Sequence, residues 1–378
     1  MNVIIILEDG RMAGPQSYVL KLIAKLNNLE VVLALPRKDN DEFCSRLKSA
    51  GINYTEMNIS RPQRNLLGLI KYILNFFPDC IRLCRLIKGN DDCIVYSAGG
   101  CWQIKGIIAA KIMRVPSIWQ MNDTHAPKLI MYIFRILGRL PNGYIYVSNA
   151  TKRYYDTIYK PKALKYVIPS PIDIKEFLEG NYKKLNVKDH KNIEKPLKVG
   201  TVCSINPIKN LEYFLEIAEE LNRVKDGTEF EFRIIGPVPQ TQVKYFNFLK
   251  KEISCKNLKN IIFEGAQSNI PKKLQELDIY LCTSKNEASP IAVWEAMAAN
   301  ISVISTDVGD VAFHLKKSKC GIIIPSNKPK KAAKLLLNYY AKYGDELRSE
   351  NQGLGYIDKN MSSQMCANLH EKLFNEAR

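Results

Sequence analysis

The sequence predicts an α/β protein built from two doubly wound domains in tandem. Three observations predict it. The chain opens on a continuous aliphatic run, Val3–Leu7, followed by a glycine-bearing loop and an amphipathic helical pattern. That strand–loop–helix–strand order recurs along the chain, as βαβ units require. A polar, Lys-rich stretch over Asn181–Pro196 then interrupts the pattern, which restarts after it.

Taken in order, Val3–Leu7 reads as a strand buried on both faces. Asp9–Gln16 is a loop, and Tyr18, Val19, Leu22, Ile23 and Leu26 share one helical face. Val31–Leu35 is the next strand. Further strands are expected at Cys93–Tyr96, Ser117–Gln120, Gly143–Val147 and Lys165–Ile168. Helices are expected between and after them at Gln103–Met113, Lys128–Leu140 and Asn149–Tyr159. Beyond the polar stretch, strands are expected at Leu197–Cys203, Phe230–Ile235, Ile261–Phe263, Asp278–Cys282 and Val303–Ser305. Helices alternate with them at Asn210–Leu221, Thr241–Ser254, Pro271–Leu277 and Pro290–Ala299. The expected division is residues 1–180, residues 195–355, and a C-terminal helical piece, 356–378, in which Ser362–Phe374 returns to the first domain.

The chain has 378 residues, enough for two domains that each bury a core. A hydrophobic content of 46% with 25% charged residues excludes extended disorder. The net charge of +17 favours anionic partners, although it also fits a Lys-rich solvated surface. The excess is uneven: residues 1–175 hold 25 Lys and Arg against 13 Asp and Glu, and the rest hold 30 against 25. Ten cysteines are scattered beside apolar runs, with no C-x-x-C pair and histidine partners. They read as buried thiols in a reducing cytoplasm, and no zinc is expected. Glu8-Asp9 interrupts the opening apolar run, so no signal peptide is expected, and no run is long enough to span a membrane.

The stretch carrying most chemistry is Asp278–Val311. A strand ends near Cys282 and a loop presents Glu287. Ser289 is expected to cap a helix whose first position is Pro290, with Ile291 next, Glu295 in the second turn and Asn300 as a left-handed stop. A helix N-terminus at the carboxyl end of parallel strands suits a diphosphate. Carboxylates before it and within it suit hydroxyls on either side. Spacing alone better fits a capped helix with one exposed glutamate.

This segment resembles the signature of glycosyltransferase family four, whose fold is GT-B: two Rossmann-like domains with a cleft between them. In that pattern seven residues separate two glutamates, here Glu287 and Glu295, the second opening Glu295-Ala296-Met297-Ala298. The resemblance implies that Glu287 contacts the donor sugar and Glu295 the ribose. Where the family usually has Gly-Phe-Gly, this chain has Ala288-Ser289-Pro290. Other landmarks follow in order: Gly14 in Ala13-Gly14-Pro15, Tyr146–Ala150, Ile168–Phe177, Ile235-Gly236, Phe263–Gly265 and Gly309 in a donor-sugar loop. Lys209 resembles the family's diphosphate lysine, but the usual Arg five residues earlier is Ser204 here. The family's donor-contacting His in the first domain is replaced by Asn122, or supplied by His125, with Asp123 a further polar candidate.

The resemblance implies retaining transfer of a hexosyl or related sugar from a nucleotide-diphosphate donor, with UDP expected. The acceptor would be a glycan or lipid-linked molecule in cell-surface polysaccharide assembly. Neither metal nor cofactor is expected, the nucleotide sugar being a co-substrate. Basic amphipathic patterns over Leu66–Phe77 and Lys128–Leu140 fit a core helix with basic exposed residues or a helix lying on anionic lipid. The excess positive charge of the first half tilts the expectation to a cytoplasmic enzyme peripheral on an anionic membrane. The alternatives are a nucleotide-sugar epimerase on the same fold, or a non-catalytic basic protein binding lipid or nucleic acid. No nucleic-acid motif supports the last, and nucleic acid is not expected as a partner.

Overall fold

The computed structural model describes residues 2–61, 66–178, 196–224, 228–350 and 352–378, without the side chains of residues 66 and 343–350. The polar stretch expected as a linker lies outside the described residues except for Pro196. The chain forms two compact units, Met1–Pro171 with Ser363–Arg378, and Ile172–Ser362. The boundaries fall at residues 171 and 362 rather than at the expected 180 and 355.

The first unit alternates β1 (Asn2–Ile6), α1 (Gly14–Ile23), β2 (Glu30–Pro36), α2 (Asp41–Ser49), β3 (Tyr54–Met57), α3 (Leu66–Lys88), β4 (Cys93–Ser97) and α4 (Lys105–Met113). It continues with β5 (Ser117–Met121), α5 (Lys128–Leu137), β6 (Gly143–Tyr146), α6 (Asn149–Ile158) and β7 (Leu164–Val167). Its parallel sheet has the order β3-β2-β1-β4-β5-β6-β7. β1 lies between β2 and β4, so Val3–Ile6 are fully buried, as a strand covered on both faces should be. α3 is longer than the expected pattern and continues through Pro78.

The second unit runs α7 (Lys175–Leu178), β8 (Leu197–Val202), α8 (Leu211–Asn222), β9 (Phe230–Ile235), α9 (Val243–Cys255), β10 (Ile261–Gly265), α10 (Ile270–Gln275) and β11 (Ile279–Cys282). Then come α11 (Ile291–Ala298), β12 (Ser302–Thr306), α12 (Val311–Ser318), β13 (Gly321–Ile324), α13 (Pro329–Glu350) and α14 (Gln352–Met361). Its sheet is also parallel, with the order β10-β9-β8-β11-β12-β13. In both sheets the order reverses beside the first strand, which creates a switch point. α14 packs on α11 in this unit and was not expected there.

A last helix, α15 (Ser363–Glu376), belongs to the first unit. Its fully buried His370 meets the rings of Tyr18 and Tyr96 edge-on, and Phe374 packs on Tyr96. The helix therefore completes the first unit's core, as expected for the Ser362–Phe374 pattern. The two parallel sheets and the order of their elements are those of a GT-B fold.

Candidate functional site

In the second unit the switch point lies between β8 and β11. The loop after β8 carries Lys209 and the loop after β11 carries Glu287. Backbone and hydroxyl contacts join these loops. The Lys285 amide donates to the Ile208 carbonyl at 2.8 Å. Thr283 Oγ1 donates to the Lys209 carbonyl at 3.0 Å, and Thr306 Oγ1 donates to the Ser284 carbonyl at 2.7 Å. On this platform Lys209 Nζ donates to Glu287 Oε1, which also accepts from Ser284 Oγ at 3.0 Å. Burial pushes the Lys209 ammonium down, but the Glu287 charge and hydrogen bond outweigh it and hold the group above the usual lysine value. Lys209 is therefore a fixed cation at the carboxyl ends of the two central strands. Ser204 lies in the same loop, where its carbonyl accepts from Asn206 Nδ2 at 3.0 Å.

The helix after the glutamate loop begins one residue later than expected. Pro290 occupies the cap position and Ile291 the first helical one. Ser289 does not cap the helix; its hydroxyl accepts from the Trp294 indole at 3.0 Å. The reason is packing. Trp294 is buried one turn into the helix, and its indole N–H takes the Ser289 hydroxyl as its acceptor. Glu295 is half-buried in the second turn, and Asn300 takes the expected left-handed conformation, φ +53°. Gly309 has φ +56°, and a Cβ on it would stand 2.8 Å from the Ala288 carbonyl oxygen and 3.1 Å from that of Glu287. A side chain there would displace the glutamate loop. The structure thus brings together Lys209, Glu287, Ser289, Pro290, Ile291, Glu295 and Gly309 in one unit.

Gly14, Asn122, Asp123 and His125 belong to the first unit. Gly14 is the first residue of α1, exposed, with open space where a Cβ would project. Asp123 follows β5 and accepts from the Tyr155 hydroxyl. Burial pushes its carboxyl up to about 6. Asn122 Oδ1 is buried without a hydrogen-bond partner among the described residues, whereas His125 is exposed.

A charged cluster at the first unit's switch point was not anticipated. Glu8, just past β1, is fully buried and accepts from the Lys105 amide at 2.8 Å and the Tyr72 hydroxyl at 3.1 Å. Lys105, also fully buried, bonds Asp79 at 2.8 Å and the Ser60 carbonyl at 2.5 Å. Desolvation pushes the Glu8 carboxyl up to about 7 despite the nearby ammonium. The available sequence signal was a charge directly ending an aliphatic run, which the signal-peptide argument used only as an interruption. Among the described residues no group of three His, Cys, Asp or Glu converges to hold a metal.

Residues 183–352 match the family model described as glycosyl transferases group 1. The chain is 24% identical over 296 residues to N,N'-diacetylbacillosaminyl-diphospho-undecaprenol alpha-1,3-N-acetylgalactosaminyltransferase of Campylobacter jejuni, covering 74% of this chain and 73% of that one. It is 24% identical over 158 residues, 40% of this chain and 38% of the other, to the putative colanic acid biosynthesis glycosyltransferase WcaL of Escherichia coli. Among solved structures, Anabaena Alr3699/HepE in complex with UDP and glucose superposes with a TM-score of 0.81 at 15% identity over 99% of both chains.

Proposed function

We propose that this protein is a retaining glycosyltransferase that binds a nucleotide-diphosphate sugar, UDP-linked, on its second unit and transfers the sugar to a glycan or lipid-linked acceptor in polysaccharide assembly. The observation that carries the reading is the Lys209–Glu287 pair at the switch point, on loops stitched to each other. The diphosphate lies at the N-terminus of α11, where Ser289, Pro290 and Ile291 form the entry to the helix. Lys209 leaves Glu287 for the phosphates and stabilises the negative charge of the departing diphosphate. Glu287, released, accepts from a sugar hydroxyl, and Glu295 accepts from the ribose. Retention is what the family resemblance implies. Given retention, and with no covalent nucleophile in this residue set, the acceptor hydroxyl attacks from the face the diphosphate leaves, and its proton passes to the departing diphosphate.

The group 1 glycosyl transferase match over the second unit, the solved neighbour holding UDP and glucose, and relatives named for lipid-linked and polysaccharide chemistry support this reading. All ten cysteines are free, which fits action inside the cell. The test is a thermal-shift screen against nucleotide sugars, then transfer to candidate acceptors with the product anomer read by NMR. Inversion would overturn the retaining mechanism. Donor conversion to an epimer without any acceptor would replace the transferase reading with an epimerase.

A further inference from the structure

The first unit presents an apolar surface that neither the fold nor the proposed reaction uses. Along α3, Leu67, Ile70, Leu74, Phe77 and Ile81 recur at helical spacing and are 81%, 45%, 72%, 76% and 53% exposed. Single exposed hydrophobics need no explanation, but a continuous stripe of five does. α5 repeats the arrangement on a smaller scale with Leu129, Tyr132 and Ile136, all exposed. Right-handed crossovers put α3, α4, α5 and α6 on one face of the sheet. Phe76 of α3 and Phe134 of α5 both pack into the cluster around Trp119, so the two helices share a support.

The charges around these stripes have one sign. On α3 the exposed charged residues are Lys71, Arg85 and Lys88. Its only carboxylate among the described side chains, Asp79, is buried and bonded to Lys105 and Arg82. α5 contains Lys128 and Arg135 and no carboxylate. A second copy of the chain would oppose cations to cations across the stripe. A layer of anionic headgroups above an apolar interior matches both features at once. No helix of the described residues is long and apolar enough to cross a membrane, so the fit is to helices lying in the surface plane.

We propose that the exposed stripes of α3 and α5 are a docking surface for an anionic lipid bilayer, with the apolar side chains entering the headgroup–acyl boundary and the flanking cations resting among the headgroups. The surface works without donor or acceptor and is independent of the sugar chemistry. It is tested by co-sedimentation with phosphatidylglycerol–phosphatidylcholine vesicles and with phosphatidylcholine alone, at low and high salt. Wild type binds the anionic vesicles, and binding falls with salt because the headgroup attraction is screened. The triple variant Leu74→Ser, Phe77→Ser and Ile81→Ser binds at least about tenfold more weakly. The triple variant Lys128→Gln, Arg135→Gln and Arg139→Gln binds anionic vesicles more weakly but neutral ones unchanged. Circular dichroism, and donor turnover measured without lipid, confirm that both variants are folded; absence of turnover in wild type would count against the transferase reading and leave the vesicle result to stand by itself. Equal binding to both vesicle types, no binding at low salt, or full binding by the folded α3 variant overturns the proposal. So does a stripe that, when changed, alters only self-association or capture of an acidic protein.

Discussion

Lys209 and Glu287 stand 78 residues apart in sequence and form an ion pair where β8 and β11 end. In the proposed reaction the pair keeps the ammonium charged at the site before a donor arrives, and the donor phosphates take it over from Glu287, where it meets the negative charge of the leaving group. Lys209→Ala is expected to lower kcat by about 10²–10³, two to four kcal/mol in the barrier, with the melting temperature nearly unchanged. Steady-state kinetics on the folded variant checks it. A near-normal rate would make Lys209 a structural partner of Glu287 and nothing more.

Glu295→Ala is expected to weaken donor binding by about 1–3 kcal/mol, the cost of leaving the ribose hydroxyls without an acceptor. A double-mutant cycle locates the effect. Wild type and variant are titrated with UDP and with its 2′- and 3′-deoxy forms. Independent losses from the mutation and from each missing hydroxyl would remove Glu295 from the ribose.

Gly309→Ala places a methyl against the Ala288 and Glu287 carbonyls in a left-handed backbone conformation. A stability loss of about 1–3 kcal/mol is expected, together with weaker donor binding because the glutamate loop must shift. Thermal melts and donor titration measure the two effects separately. A destabilised variant with wild-type donor affinity would show that this loop tolerates displacement.

His370 gives a pH-dependent stability. Burial pushes its imidazole down to about 4, from the ordinary 6.5. The stability it contributes is fully present above pH 6.5 and is lost as pH falls through 4, because the unfolded chain takes up the proton first. The window corresponds to about 3 kcal/mol. Denaturant titrations from pH 7 to 4 should show a shallower acid-side decline for His370→Gln than for wild type. Comparing the two proteins cancels the contributions of Glu8 and Asp123, whose raised carboxyls act in the opposite sense. Identical slopes would mean that His370 accepts its proton while folded.

The buried aliphatic strands were legible because a central parallel strand has no alternative way to hide a run such as Val3–Ile6. α2 and β3 were not. Only Phe43, Cys44 and Leu47 of α2 are buried, and β3 lies at the sheet edge with half of its residues exposed, so neither carries a strong period. Glu287, Glu295, Lys209 and Gly309 could be named as candidates from sequence only through the family resemblance, which rests on the order of short motifs; local spacing alone does not single them out. The stitching of the two loops by Thr283, Thr306 and the Lys285 amide depends on strands far apart in sequence becoming neighbours, which no local pattern encodes. Ser289 was misread for the same reason: the claim of the Trp294 indole on its hydroxyl appears only when the helix packs.

The chain leaves the first unit at Pro171 and re-enters it at Ser363. On a ribosome, the seven-stranded sheet is therefore made well before the helix that covers Tyr18 and Tyr96, with the whole second unit emerging in between. Until α15 arrives, a patch meant for His370, Leu373 and Phe374 stays open on a nascent sheet, available to chaperones or to another unfinished chain. Along the sequence the second unit lies within the first, so a gene cut at residue 171 yields no complete first unit. Expressing that half requires splicing residues 363–378 back onto it, and a fusion placed after α15 would load the element that closes its core.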